Sequence, residues 1–130
     1  MTLQVNKERI KAIVIDDDED SSDSICQALE ISGINVVGKG FDGEQAYQLY
    51  KTLTPDIIIL DMNMPNYDGA YALEKIKQDY PDAKIVVVTG FTNYMFEKEQ
   101  ADAIFTKPYD LEPFIDTVNK IALATPTLVK

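Results

Sequence analysis

Residues 56–61 read DIIILD and residues 84–89 read KIVVVT. The runs Ile57–Ile58–Ile59–Leu60 and Ile85–Val86–Val87–Val88 do not alternate with polar residues. A strand with one wet face alternates; an unbroken aliphatic run marks a strand covered by helices on both faces, as in parallel sheets. Each run ends on a polar residue, Asp61 and Thr89. Outward from this pair, shorter apolar runs stand at Ala12–Ile15, Val36–Val37 and Ala103–Phe105.

Between the runs lie segments with helical spacing. A first helix follows Asp20 and Ser21, with Ile25, Ala28 and Leu29 on one face and Gly33 as its stop. A second runs from Gly43 to Thr52 and aligns Ala46, Leu49, Tyr50 and Leu53. A third runs from Gly69 to Tyr80, with Ala72, Leu73 and Ile76 inward and Pro81 ending it. A fourth is expected between Thr89 and Ala103, where the pattern is weak. The last begins after Asp110 and aligns Phe114, Ile115, Val118, Ile121 and Ala122. Alternating strands and helices predict an α/β fold: a doubly wound five-stranded parallel sheet, order 2-1-3-4-5, in a flavodoxin-like three-layer sandwich. Residues 11–124 form the expected domain, with an N-terminal extension at 1–10 and a C-terminal tail at 125–130.

The chain of 130 residues suits one domain, and 45% hydrophobic content fills one core. Lys plus Arg number 12 and Asp plus Glu 22, a net charge of −10. That balance argues against direct binding of nucleic acid and favours basic partners or a bound cation. There is no histidine, which removes His-based triads, His-ligated zinc and His general bases. The single cysteine, Cys26, excludes an intrachain disulfide. No apolar run approaches the roughly 20 residues that span a bilayer, so no membrane insertion is expected. The first residues lack the apolar stretch of a signal peptide, and the expected location is cytoplasmic.

Ligands of open parallel sheets bind beyond the carboxyl ends of the strands. Asp16, Asp17 and Asp18 follow the first run, Asp61 the third, Thr89 the fourth, and Thr106, Lys107 and Pro108 the fifth. With the expected order they converge on one cavity. Two like charges 4 Å apart repel by about 4 kcal/mol at an effective dielectric near 20, and one lysine cannot balance the carboxylates. A divalent cation can, and oxygen-only donors suit Mg²⁺ or Mn²⁺. Asp61 then reads as a nucleophile toward phosphorus, giving an acyl phosphate. Lys107 and the metal stabilise charge on the phosphoryl oxygens, and the Thr89 hydroxyl bonds to one of them.

Taken together, IVIDDDED, LDMNMPNYDG, VVVTG and FTKPY, in this order and spacing, resemble the receiver domain of two-component response regulators, in a single-domain, chemotaxis-regulator-like form. The resemblance covers about Lys11 to Ala124. It implies that Asp17 and Asp61 ligate Mg²⁺ directly, that Asp16 acts largely through water, and that the backbone carbonyl of Asn63 is a further ligand. It implies that Asp61 accepts a phosphoryl group from a histidine kinase or phosphotransfer protein and that Lys107 pairs with it. A cis Lys107–Pro108 bond and a downstream protein target are also implied. Such a chain is a signalling switch, not an enzyme, with weak self-catalysed phosphorylation and dephosphorylation, acting as a monomer or weak dimer.

Against the family pattern, the segment from Thr89 to Lys107 is about one helical turn shorter than usual, which implies a shortened fourth helix. The usual aromatic three residues before the lysine is Ile104 here, and alternation turns Phe105 to the other face. Phe91, two residues beyond Thr89, is placed to shield the acyl phosphate from water.

Other readings remain open beside this one. Asp18, Glu19 and Asp20 read as cap and first-turn acids. Asp16-x-Asp18-x-Asp20 mimics a calcium loop, but Ser21 replaces the turn glycine and Gln27 the final glutamate. An aspartyl-phosphate-forming phosphatase or phosphotransferase, and a pseudo-receiver that works without phosphorylation, are the alternative functions. Cys26 reads as a small packing residue.

Overall fold

In a computed structural model, the described residues are 9–62, 64, 68–90 and 101–124. They form β1 (Lys11–Ile15), α1 (Glu19–Ile31), β2 (Asn35–Gly40), α2 (Gly43–Leu53), β3 (Ile57–Asp61), α3 (Gly69–Asp79), β4 (Ile85–Thr89), β5 (Ala103–Thr106) and α4 (Leu111–Leu123). The five strands are parallel, in order β2-β1-β3-β4-β5. The expected α/β architecture is therefore the observed one. The expected fourth helix falls on residues 91–100, outside the described set, so α4 here denotes the last helix.

Alternate residues of the aliphatic runs build two cores. Ile13, Ile15, Ile58, Leu60, Ile85 and Val87 meet α2 and α3 through Ala46, Tyr50, Ala72, Leu73 and Ile76. Ala12, Val14, Ile57, Ile59, Val86 and Val88 meet α1 and α4 through Ile25, Leu29, Phe114 and Val118. This is why the runs carry no polar residue: each side chain has a helix to lie against.

Most strands extend one residue beyond their apolar runs, because Asp61, Thr89 and Thr106 keep ladder pairing after the apolar signal has ended. β2 differs most from its expected Val36–Val37. Gly38, Lys39 and Gly40 carry no apolar signal, yet they pair with β1. A Cβ on Gly38 would lie 2.9 Å from the Leu53 side chain, so this edge strand approaches α2 closely. α1 begins at Glu19 rather than after Ser21, because the Asp18 carboxylate accepts the Ser21 N–H and caps it. Asp42 and Asp68 cap α2 and α3 in the same way.

Candidate functional site

Register brings the strand ends level. Ile15 pairs with Leu60, Asp61 with Val88, and Thr89 with Thr106. The residues that follow β1 and β5 therefore emerge at the rim where β3 ends in Asp61. A cavity of about 350 Å³ opens there, lined by Asp16, Asp17, Asp18, Asp61, Gly90 and Lys107, with Ser21 at its edge.

The carboxylates differ in setting. Asp16 and Asp61 are buried, with 1% and 5% of their surface exposed, while Asp17 is exposed. Asp16 is engaged through both oxygens: Oδ1 accepts the Asp18 N–H at 2.9 Å, and Oδ2 lies 3.4 Å from Lys107 Nζ. Asp61 Oδ2 lies 3.9 Å from the same ammonium. Lys107 thus stands nearer Asp16 than the acceptor that the resemblance assigns to it. Its N–H donates to the Thr89 carbonyl at 2.8 Å, which locks the end of β5 to the end of β4. The Lys107–Pro108 bond is cis. Thr89 is buried at the same rim.

One oxygen from each of Asp16, Asp17 and Asp61 lies within 4.8 Å of the others. Two ligands of an octahedral Mg²⁺ are at most about 4.2 Å apart with bonds of about 2.1 Å. Small side-chain rotations close that gap, and the donor set is all oxygen, so the residues fit such an ion. Asn63 and Phe91 lie outside the described residues. Asp18 faces the same cavity but serves as the helix cap. The Ser21 backbone N–H, then its hydroxyl, hold the Asp18 carboxyl below its usual range.

Two residues of this region escape the sequence reading. Gly69 opens α3 against the exit of β3. A Cβ there would stand 2.5 Å from the Asp61 carbonyl oxygen and 2.5 Å from Met62 Cα, so only glycine lets the helix start this close to Asp61. The motif spacing places a glycine there, but the contact that requires it is tertiary. Tyr109 is half-buried, and its ring packs against Phe105 and Phe114 at centroid distances of 5.8 and 5.1 Å. Burial first, then the charges of Asp16 and Asp61, push its phenol up to about 12.

Comparison with known proteins agrees with this geometry. The family model described as the response regulator receiver domain matches residues 12–119. The transcriptional regulatory protein DegU of Brevibacillus brevis is 32% identical, over 80% of this chain and 50% of its own length. The chemotaxis protein CheY of Bacillus subtilis is 30% identical, over 85% of this chain and 95% of its own. The receiver domain of a Francisella response regulator superposes with a TM-score of 0.79 at 26% identity, covering 88% of this chain and 97% of that one. The chain thus spans about half the length of the DegU and GacA relatives, at 50% and 55%, and nearly all of CheY. Among the described residues no helix is long and apolar enough to cross a membrane.

Proposed function

The chain belongs to the response regulator receiver domain family, and from that premise we propose that it is a Mg²⁺-dependent phosphorylation switch whose acceptor is Asp61. The observation that carries this reading is the convergence of Asp16, Asp17, Asp61 and Lys107 on one cavity at the sheet's rim. The switching unit is residues 11–124.

An Asp61 carboxylate oxygen attacks the phosphorus of a partner's phosphohistidine. The P–N bond breaks, the imidazole leaves and takes up a proton, and an acyl phosphate remains on Asp61. Asp17 and Asp61, with the Asn63 carbonyl, would hold the cation directly and Asp16 through water. When bound, Mg²⁺ or Mn²⁺ neutralises charge on the carboxylates and phosphoryl oxygens. Lys107 turns from Asp16 toward a phosphoryl oxygen, and the Thr89 hydroxyl donates to another. Drawing Thr89 inward moves the end of β4, and a charge of about −1.5 to −2 biases the loops around it. Reset is hydrolysis: water attacks phosphorus, phosphate leaves, and the Asp61 carboxylate returns. The donor is a histidine kinase or phosphotransfer protein and the reader is a downstream protein, with the chain acting as a monomer or weak dimer.

Intact-mass measurement after incubation with acetyl phosphate and Mg²⁺ tests this. The chain should gain one phosphoryl group; EDTA or Asp61→Asn should abolish the gain. Sustained turnover of a phosphate ester without labelling would replace the switch by a phosphatase.

A further inference from the structure

β5 delivers Lys107 to the pocket, yet it has little packing to hold it in place. β1, β3 and β4 are buried almost throughout, so the aliphatic core fixes their register. β5 is an edge strand of four residues. Ala103 and Phe105 lie half-buried against the core, while Ile104 is 39% exposed and Thr106 is exposed too. A slip of one residue moves a strand by about 3.3 Å and turns every side chain to the opposite face. Lys107 follows β5 directly. Such a slip would carry its ammonium away from Asp16 and Asp61, which it approaches at 3.4 and 3.9 Å.

A polar clasp holds the strand at its entry. Asp102, the residue before β5, is bonded twice to Ile85, the first residue of β4. Its N–H donates to the Ile85 carbonyl at 2.8 Å, and its Oδ2 accepts the Ile85 N–H at 2.8 Å. A one-residue slip breaks this ring, because successive residues of β4 turn their backbone groups alternately to β5 and to β3. Lys84, next to Ile85, already gives its carbonyl to the Ile58 N–H. Asp56 closes the same ring on Lys11 at the entry of β3: its N–H donates to the Lys11 carbonyl and its Oδ2 accepts the Lys11 N–H, both at 2.8 Å. But β3 is buried at every residue, and its register stands without the clasp. The two clasps share their chemistry and differ in what depends on them.

We propose that Asp102 is a positioning residue: its carboxylate fixes the register of β5 on β4 and so holds Lys107 at the acidic pocket. Its effect on phosphorylation rests on the proposed function above; its hold on Lys107 does not.

Amide hydrogen exchange in the full chain reads that hold without any phosphoryl donor. Asp102 and Asp56 are exposed, so replacing either opens no cavity. In Asp102→Ala the Lys107 N–H should exchange about threefold to tenfold faster, while N–H groups of β1 and β3 stay within about twofold. Asp102→Asn keeps an acceptor oxygen and should restore most of the protection. Unchanged exchange at Lys107 in Asp102→Ala, or an equal rise in β1 and β3, overturns the register lock. Labelling by acetyl phosphate with Mg²⁺, followed by intact mass, reads the consequence. Asp102→Ala should slow it about threefold to tenfold, and Asp102→Asn or Asp56→Ala less than about twofold. In a Lys107→Met chain, adding Asp102→Ala should slow labelling no further, because the group it positions is gone. An equal further loss there means that Asp102 acts on the fold at large, and overturns the positioning role. If the unaltered chain takes no phosphoryl group, the proposed function falls, and the exchange result alone decides whether Asp102 holds Lys107.

Discussion

On the α2–α3 face, helix is tied to helix by polar side chains. Tyr71 donates to Glu44 Oε1 at 2.7 Å, Tyr47 donates to Asp79, and Lys75 Nζ stands 4.8 Å from the centre of the Tyr47 ring. On the α1–α4 face, no hydrogen bond or ion pair among the described residues joins the two helices. Rings fill the space beneath them instead, and above them a groove stays open. Both faces rest on the same aliphatic strands. One is closed at its rim by side chains; the other leaves apolar surface at Ile31 and Leu111 above a cluster of rings, Phe105, Tyr109 and Phe114.

The largest expected effect breaks the ring side. Phe114 is fully buried, and Phe114→Ala should cost about 3–5 kcal/mol, read as a lower urea midpoint. It should also loosen α4 more than α3 in hydrogen exchange; equal loosening of both would say that the faces are not separate. Gly69→Ala comes next. A methyl 2.5 Å from the Asp61 carbonyl oxygen forces α3 or β3 to shift, at a cost of about 1–3 kcal/mol, and should slow phosphorylation by acetyl phosphate. An unchanged phosphorylation rate would show that the acceptor tolerates this shift.

Alkaline titration sharpens the comparison from the pocket side. The Tyr109 phenol is raised from 10.0 to about 12 in the folded chain. A raised acid favours the folded state fully below pH 10, and that contribution is lost as pH climbs toward 12. Tyr109→Phe should therefore flatten part of the stability loss over this window and remove the latest-forming tyrosinate from the absorbance titration. A tyrosinate at Tyr109 that forms near pH 10 would mean the ring is neither buried nor near the acids. The smallest effect is Tyr71→Phe, which unties one contact of the α2–α3 clasp at about 0.5–1.5 kcal/mol. It should also raise the Glu44 carboxyl, which the Tyr71 hydroxyl, then Gln48, holds low, seen by NMR titration of Glu44.

The fold was legible where burial speaks through side chains. The runs at Ile57–Leu60 and Ile85–Val88 could only be strands buried on both faces, and parallel order followed. It was less legible at β2, where Gly38 and Gly40 pair without any apolar signature, and at the exact start of α1, which lies at Glu19 rather than after Ser21, although the cap reading of Asp18 and the first-turn reading of Glu19 and Asp20 hold. The acidic rim was legible because strand ends and chemistry coincide at Asp16, Asp17, Asp61 and Lys107. The Gly69 contact, the Tyr109 ring cluster and the groove were not, since each is made by residues distant in sequence whose types are ordinary one by one.

Borohydride reduction of the phosphorylated chain, followed by peptide mapping, tests the central claim most directly. An acyl phosphate on Asp61 is reduced to homoserine, so a homoserine at position 61 and nowhere else is expected. Homoserine at position 16 or 17, or a borohydride-resistant phosphoester on Thr89, would contradict the account.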